Sequence, residues 1–372
     1  MNNTQFLDST TIRHLLLNLT KAETISFRDA IEQTLADFSA AGERRYQPDP
    51  SAVTRPNGQR TLFRPFTSDL SVGVKIIVEA PPRPDGKKDP LHGVLILTDG
   101  QGNPTGVLSA EEVTGYRTSM NAMVPFSWRT YVDNIVIFGS GMQALWHTRL
   151  ILALRGSEVK TITFVNSSKE RIDNLIETVC RENEVRWKSE CSFHAINTTT
   201  SDYQEQVKNR LRDADCIFCT TPSRKPLFPV SYLTEQNSLG RQPFVSAVGS
   251  WQPDMVELDP ALLHYAIASD GGYNPSSSEA KGVVLVDDQH YALENAGEIV
   301  QSQVTARDLV ELGQIIALRS GKIEPLHQQL VQQTNRFISQ GFVVYKSIGV
   351  SLTDLTAGNT VLALYQKKQH CL

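Results

Sequence analysis

The chain has 372 residues, a formal net charge of −4 and 40% hydrophobic residues, a composition typical of a globular protein with a sizeable core. The small net charge without basic tracts argues against a nucleic-acid or membrane partner, and no apolar run approaches the roughly 18 residues that a membrane span needs. The N-terminus lacks the basic and apolar regions of a signal peptide, so we expect a cytoplasmic protein of about two domains.

The cysteines and histidines do not indicate a disulfide framework or a metal site. There are five cysteines, an odd number scattered along a long chain. Cys216 and Cys219 have C-x-x-C spacing, but the apolar segment around them is typical of a buried strand, which directs the two side chains to opposite faces. The eight histidines show no ligand-like spacing, and we expect no structural metal.

The first third of the chain predicts helices followed by strands. Apolar residues at helical spacing predict two amphipathic helices between about residues 10 and 43. Strands are predicted at Thr61–Phe66, Gly73–Glu79 and Gly93–Thr98, and the last of them begins a hairpin. A helix predicted over Ser109–Met123 then leads into a region of different character.

Residues 132–171 contain a strand, a tight turn, a helix and a second strand in the order of a dinucleotide-binding unit. The three regular elements are predicted at Ile135–Phe138, Gln143–Leu154 and Lys160–Val165. The turn carries Gly139, Gly141 and Ala144, spaced as G-x-G-x-x-A. A lone glycine-rich turn is weak evidence, but here the strand and the helix that the motif requires are both present.

Each small residue of this turn has a physical purpose. Gly139 makes the sharp turn, Gly141 lets the backbone approach a pyrophosphate without an intervening Cβ, and Ala144 packs the helix against the strand. The free N–H groups at the helix N-terminus favour phosphate oxygens. The other candidate phosphate contacts in the same turn are Ser140, Met142 and Gln143.

The residues after the second strand indicate which dinucleotide is preferred. An acidic residue there accepts the ribose hydroxyls of NAD, whereas this chain has Asn166. Two hydroxyls and two cations follow, at Ser167, Ser168, Lys169 and Arg171. They suit a 2′-phosphate, so we expect NADPH to be preferred over NADH. The alternative is that the two cations are solvated residues at a helix start.

Strands and helices continue to alternate, which predicts a parallel sheet. Further strands are predicted near Cys191–Ala195 and at Asp215–Thr220, Phe244–Val248 and Val283–Val286, with helices at Asp202–Arg212 and Thr305–Ser320 and a strand and helix after Gly341. Ligands of open parallel sheets lie beyond the carboxyl ends of the strands. The candidate cofactor contacts there are Thr220, Thr221, Pro222, Val248, Gly249 and Ser250.

Seven segments in order resemble the ornithine cyclodeaminase/mu-crystallin family. They are GVK from Gly73, YRTS around Arg117, FGSGMQA from Phe138, DADCIFCTTPS from Asp213, SAVGSWQPDMVELDP from Ser246, VVLVDD from Val283 and YKSIGVSLTDLTAGN from Tyr345. The resemblance implies an α/β fold with a Rossmann-type NAD(P)-binding domain over residues 128–324. It also implies a discontinuous α+β substrate-binding and dimerisation domain over residues 1–127 and 325–372, and a homodimer.

The resemblance assigns chemistry to Lys75 and Arg117. In the family these positions face the nicotinamide and hold the substrate carboxylate, a role that suits a guanidinium fork beside an ammonium. Lys75 lies in an apolar strand, where an unpaired lysine is costly. The alternative for each residue is an exposed surface position. Asp354 and Lys346 also match the family pattern, and we expect them to support the substrate domain and the dimer rather than the chemistry.

Three departures from the family pattern bear on the substrate. Trp251 stands where cyclodeaminases have an aspartate, and it covers a substrate or packs in the core. Pro50 stands where many relatives have an arginine, and Arg55 either takes over the role of that arginine or does not. Arg64 stands in the place of a methionine, as a substrate-side cation or an exposed residue. These changes favour a substrate unlike those of the better-known members, in specialised metabolism.

The leading hypothesis is therefore an NAD(P)H-dependent oxidoreductase that acts on C=N or CH–NH bonds of a small imino, keto or amino acid. It includes imine and ketimine reductases and amino-acid dehydrogenases. One alternative is an NAD-dependent cyclodeaminase, against which Trp251 argues. The other is a cofactor-dependent small-molecule binder without turnover, because fold alone does not determine function.

Overall fold

The computed structural model describes residues 4–81, 83, 91–234, 240–269, 271–277, 279–324 and 328–369. The chain divides into two compact units. The first consists of Met1–Arg117 and Val350–Leu372, and the second is Thr118–Gly349. We call them the discontinuous unit and the central unit.

The described residues form fourteen strands and thirteen α-helices. The strands are β1 (Gln5–Leu7), β2 (Ser51–Thr54), β3 (Arg60–Thr67), β4 (Ser71–Glu79), β5 (His92–Asp99), β6 (Pro104–Ser109), β7 (Asn134–Phe138), β8 (Thr161–Asn166), β9 (Ser192–Asn197), β10 (Cys216–Cys219), β11 (Phe244–Ala247), β12 (Val284–Val286), β13 (Leu309–Glu311) and β14 (Val343–Lys346). The helices are α1 (Ser9–Leu17), α2 (Lys21–Ala40), α3 (Ala110–Ser127), α4 (Met142–Arg155), α5 (Lys169–Val185), α6 (Tyr203–Arg212), α7 (Ser231–Thr234), α8 (Pro260–Ala268), α9 (Gln289–Asn295), α10 (Gly297–Ser302), α11 (Leu312–Arg319), α12 (Gln328–Gln340) and α13 (Leu352–Gln369), with short 3₁₀ turns at Glu43–Tyr46 and Ala306–Asp308.

The discontinuous unit is built on a six-stranded sheet in the order β1-β6-β5-β4-β3-β2. Only β1 and β6 run parallel, and the other neighbours are antiparallel. Helix α13 packs on one face of this sheet, where Gly358 lies against Leu95 and Leu97. We call this the inner face. Side chains alternate along each strand, so Lys75 of β4 and its cross-strand partner Arg64 of β3 share that buried face with Leu95.

The central unit contains an eight-stranded sheet in the order β13-β12-β14-β11-β10-β7-β8-β9. All seven pairings are parallel. The order β9-β8-β7-β10-β11 is that of a Rossmann fold, in which successive strands are added first on one side of β7 and then on the other. The central strands are apolar and buried along their length, as expected for a parallel sheet covered on both faces. The predicted fold class is confirmed.

One prediction about the elements is wrong. Residues 305–320 do not form one helix, because Leu309–Glu311 pairs with β12 as strand β13 before α11 begins. The two helices predicted between about residues 10 and 43 are confirmed, and they are separated at Thr20, whose side chain accepts a hydrogen bond from the Glu23 N–H in a capping box. Strands β1 and β2 were not predicted, and both are short strands at the edges of their sheet.

The boundaries of the two units differ from the expected ones. The second boundary was expected at residues 324/325, but β14 lies between β11 and β12 of the parallel sheet, so residues up to Gly349 belong to the central unit. The first was expected at 127/128. The structure places it at Arg117/Thr118, since the second half of α3 packs within the central unit, with Ser119 hydrogen-bonded to His147. Lys346 consequently belongs to the central unit, contrary to expectation.

Candidate functional site

The turn between β7 and α4 has the backbone geometry that the glycine motif predicts. Gly139 has φ +113°, and a Cβ there would lie 2.6 Å from the Thr220 hydroxyl oxygen. A side chain at this position is therefore both strained and obstructed. Ala144 is fully buried behind the turn, where α4 meets the sheet.

The N-terminus of α4 is open for an anion. Its N-cap residue is Gly141, which offers no side-chain oxygen to the first N–H groups of this 14-residue helix. A Cβ at Gly141 would meet no atom within 4 Å. Donors without side-chain caps, facing clear space, fit a dinucleotide pyrophosphate.

The other candidate cofactor contacts lie at the same edge of the sheet. Strands β7, β10 and β11 are neighbours in register, with Phe138 opposite Cys219 and Cys219 opposite Ala247. The segments that follow β10 and β11 therefore begin beside the Gly139 turn. Those segments contain Thr220, Thr221 and Pro222, and Val248, Gly249 and Ser250.

The residues after β8 are arranged around the start of α5. The Asn166 side chain donates a hydrogen bond to the Ser140 hydroxyl at 2.7 Å, which joins this segment to the glycine turn. Ser168 caps α5 by accepting from the Arg171 N–H. Lys169 is exposed and pairs with Asp173 at 2.6 Å. Ser167 is exposed as well.

Two buried glutamates that the sequence reasoning missed hold these strand ends together. Glu257 accepts hydrogen bonds from the Thr221 and Gly249 N–H groups, both at 2.6 Å. Glu298 accepts from the Ser250 hydroxyl and from the Glu257 N–H. The Lys346 Nζ, at the end of β14, lies 4.0 Å from the second carboxylate oxygen of Glu298.

This network has an unusual charge balance. Both glutamates are fully buried, and Lys346 is the cation that accompanies them among the described residues. Burial raises the pKa of Glu257 to about 7, Lys346 opposes the rise and Glu298 adds to it. A proton is thus held or released near neutral pH directly behind the predicted cofactor contacts. The sequence feature that could have identified Glu257 is an acidic residue inside the apolar segment MVELDP.

The discontinuous unit brings Lys75 and Arg117 to one carboxylate. The Lys75 Nζ lies 2.8 Å from each carboxylate oxygen of Asp354, and the Arg117 Nε donates to Asp354 at 2.8 Å. All three residues are buried. Lys75 also reaches the Thr114 hydroxyl at 3.4 Å. Asp354 was expected only to support the domain, yet it contacts both predicted catalytic residues.

Arg64 adds a third cation to this cluster. It is buried and lies directly opposite Lys75 across the β3–β4 pair. Burial lowers the pKa of Lys75 to about 7, with Asp354 opposing and Arg117 and Arg64 adding to the effect. Burial alone raises the pKa of Asp354, but Arg117, Lys75 and Arg64 outweigh it and lower the pKa below its usual value.

One donor of this cluster remains available. Within the described ranges, the buried Nη1 of Arg117 has no hydrogen-bond partner. A buried guanidinium nitrogen without a partner is costly, and an incoming carboxylate satisfies it. Trp251 belongs to the central unit instead, where it is partly exposed directly after Ser250. Arg55 is exposed, in the turn between β2 and β3.

Three further observations concern the described ranges alone. No helix there combines the length and apolarity required to cross a membrane. Among the same residues, no group of three or more histidine, cysteine, aspartate or glutamate side chains is placed to hold a metal ion. Cys180, Cys191, Cys216 and Cys219 are free, and Cys371 lies outside the described residues.

A Rossmann-type sheet with an open glycine turn, accompanied by a discontinuous unit with a buried lysine–arginine cluster, defines a two-unit dinucleotide-binding protein. The model of the ornithine cyclodeaminase/mu-crystallin family matches residues 15–368. The chain belongs to this family, and the family prediction is confirmed.

Similar proteins cover most of the chain at low identity. A protein of Dictyostelium discoideum described as an uncharacterized cyclodeaminase is 26% identical over 80% of this chain and 77% of its own length. The Delta(1)-pyrroline-2-carboxylate reductase of Bacillus cereus is 25% identical over 86% of each chain. An archaeal alanine dehydrogenase dimer with bound NAD has a TM-score of 0.70 at 16% identity, covering 98% of this chain and 97% of its own. That likeness shows the shared fold.

Proposed function

We propose that the protein is an NAD(P)H-dependent oxidoreductase that acts on the C=N or CH–NH bond of a small imino, keto or amino acid. The observation that carries the proposal is the buried cluster of Lys75, Arg117 and Asp354, with the Arg117 Nη1 unsatisfied. Such a cluster binds a carboxylate next to a group that is able to transfer a proton. The Bacillus cereus relative, a pyrroline carboxylate reductase, supports the same class of reaction.

The protein's own residues have separable tasks in this reaction. Arg117 orients the substrate by hydrogen bonds to its carboxylate. Lys75 keeps an ammonium close to neutral pH, where its pKa of about 7 lets it donate or accept a proton. A reduced nicotinamide cofactor held at the α4 N-terminus would supply the hydride for the imine carbon. The imine nitrogen gains the proton, so the C=N double bond becomes a CH–NH single bond.

The residues of the central unit fit the cofactor. The Gly141 turn and the α4 N-terminus would hold the pyrophosphate, because the donors are not capped by a side chain and the adjacent space is clear. Asn166 in place of an acid supports a preference for NADPH. The Arg171 side chain is exposed at the start of α5, where it would be able to bind a 2′-phosphate. Lys169 would first have to leave Asp173.

The homodimer belongs to the same proposal. On the face of the sheet opposite Lys75, the middle parts of β4 and β5 carry apolar side chains that are only partly buried, among them Val74, Ile76 and Ile96. A sheet face of this kind is typical of a protein interface. Light scattering should give twice the chain mass for the wild type and for the control Val185→Glu, which changes an exposed residue of α5. Ile96→Glu should give a monomer, and a wild-type monomer would overturn the dimer.

The test of function follows the absorbance of NADPH and NADH while cyclic imino acids, and α-keto acids with amines, are added to the purified protein. Consumption with one imine, faster with NADPH, is the expected result. Conversion of ornithine to proline without net loss of cofactor would overturn the proposal in favour of a cyclodeaminase. Tight binding of cofactor and ligand without any turnover would overturn it in favour of a binding protein.

A further inference from the structure

Asp354 is the anion at the centre of the cationic cluster, and it comes from the other end of the chain. It lies in the first turn of α13, whereas Lys75 is on β4 and Arg117 on α3. Its carboxylate is fully buried and contacts both cations at 2.8 Å. One carboxylate therefore determines where two candidate functional groups point.

The contact to Arg117 leaves a particular part of the guanidinium available. Asp354 accepts from Nε, and within the described chain the buried Nη1 is without a partner. The planar guanidinium is a rigid fork, so binding its Nε fixes the direction of the remaining donors. The Lys75 ammonium is held by the same carboxylate, with Thr114 as its second partner.

We propose that Asp354 is a positioning residue that aligns the Lys75 ammonium and the Arg117 guanidinium for one substrate carboxylate. This inference rests on the proposed function for the identity of the ligand. Its structural content does not depend on the reaction. If Asp354 is removed, Lys75 and Arg117 lose their shared anchor and the affinity for a carboxylate falls.

A purely structural role makes different predictions. A buried ion pair often contributes little net stability, because desolvation offsets the attraction between the charges. The charged groups that act on Lys75 are Asp354, Arg117 and Arg64, and Asp354 is the anion among them. Removal of this anion lowers the pKa of Lys75 further below 7, whereas a loss of packing that admits water raises it, because burial is the largest cause of the lowered pKa.

The experiment compares Asp354→Asn, Asp354→Glu and the wild type, with Asp69→Asn as control. Asp69 is an exposed aspartate of the same unit, so its variant removes the same charge away from the cluster. Lysine labelled with ¹³C at Cε reports the protonation of Lys75 by NMR without any substrate, and Lys75→Met assigns the signal. The pH profiles of kcat/KM are measured alongside.

The Lys75 transition should lie near pH 7 in the wild type and in Asp69→Asn. In Asp354→Asn it should move down by about one pH unit or more, and the alkaline limb of kcat/KM should move with it. Asp354→Glu retains the charge but displaces it by one methylene. In this variant Lys75 should therefore titrate close to its wild-type pH. The KM for the carboxylate substrate should rise about tenfold, as expected for the loss of one charge-assisted hydrogen bond.

An unchanged Lys75 transition in Asp354→Asn, or a wild-type KM in Asp354→Glu, would overturn the role of Asp354. If Asp354→Asn does not fold, the KM of Asp354→Glu decides. A wild-type protein that turns over no imine refutes the proposed function instead, and the NMR comparison still tests the placement of Lys75 by Asp354.

Discussion

The two glycines of the β7–α4 turn allow binding of the cofactor to be separated from folding. Gly141 has φ −97°, which alanine adopts without strain, and a Cβ there meets no atom within 4 Å. Gly141→Ala should therefore fold normally. It should even gain about 0.4–1 kcal/mol, because alanine restricts the unfolded chain.

The affinity of Gly141→Ala for the cofactor should fall, although its stability rises. The added methyl group occupies the space through which a pyrophosphate would approach the α4 N–H groups. Loss of one charge-assisted hydrogen bond costs about 1.5–3 kcal/mol. At 1.4 kcal/mol per factor of ten, the Kd for NADPH should rise about 10- to 100-fold.

Gly139→Ala is the matched comparison. Its φ of +113° and the 2.6 Å approach to the Thr220 hydroxyl oxygen predict a loss of about 2–4 kcal/mol of folding free energy. For a unit of this size the melting temperature should fall by roughly 4–16 °C.

Thermal unfolding by circular dichroism and NADPH titration by calorimetry measure the two effects independently. An unchanged Kd in a well-folded Gly141→Ala would refute the placement of the pyrophosphate at this turn. A wild-type melting temperature for Gly139→Ala would refute the steric argument.

Three further predictions concern the charged residues. Lys75→Met should lower kcat/KM about 10²- to 10⁴-fold, as expected for loss of a proton-transferring group, with the cofactor Kd unchanged in calorimetry; normal turnover would remove Lys75 from the mechanism. Arg171→Ser should raise the Kd for NADPH about tenfold and leave that for NADH unchanged, and an equal effect on both would contradict a 2′-phosphate contact. The pKa of Glu257 is raised from 4.5 to about 7, so between these two pH values the native protein retains this proton while the unfolded chain releases it. The free energy of unfolding therefore falls as the pH rises through this range. In chemical denaturation across this pH range, the free energy of unfolding of Glu257→Gln should fall less steeply than that of the wild type. An equal slope would show that Glu257 is not the source of the pH dependence.

Local patterns in the sequence determined the dinucleotide-binding turn and the alternating strands around it. The spacing of Gly139, Gly141 and Ala144 reflects constraints that act within a few residues, and alternation of strands with helices requires parallel pairing. The position of Lys75 in an apolar strand likewise indicated a buried cation that requires a partner. Because ligands of open parallel sheets lie beyond the carboxyl ends of the strands, the edge of the sheet with the candidate cofactor residues could be predicted before the strand order was known.

Tertiary structure alone decided which distant residues meet. Leu309–Glu311 looked helical because its apolar residues continue the spacing of α11, and only the neighbouring strand β12 makes it a strand. Asp354 is 279 residues from Lys75, and Glu298 is 48 residues from Ser250. No local spacing encodes such contacts. A buried carboxylate takes the cation or the backbone N–H groups that the fold brings to it, because leaving the charge unpaired away from water would cost more than the fold gains.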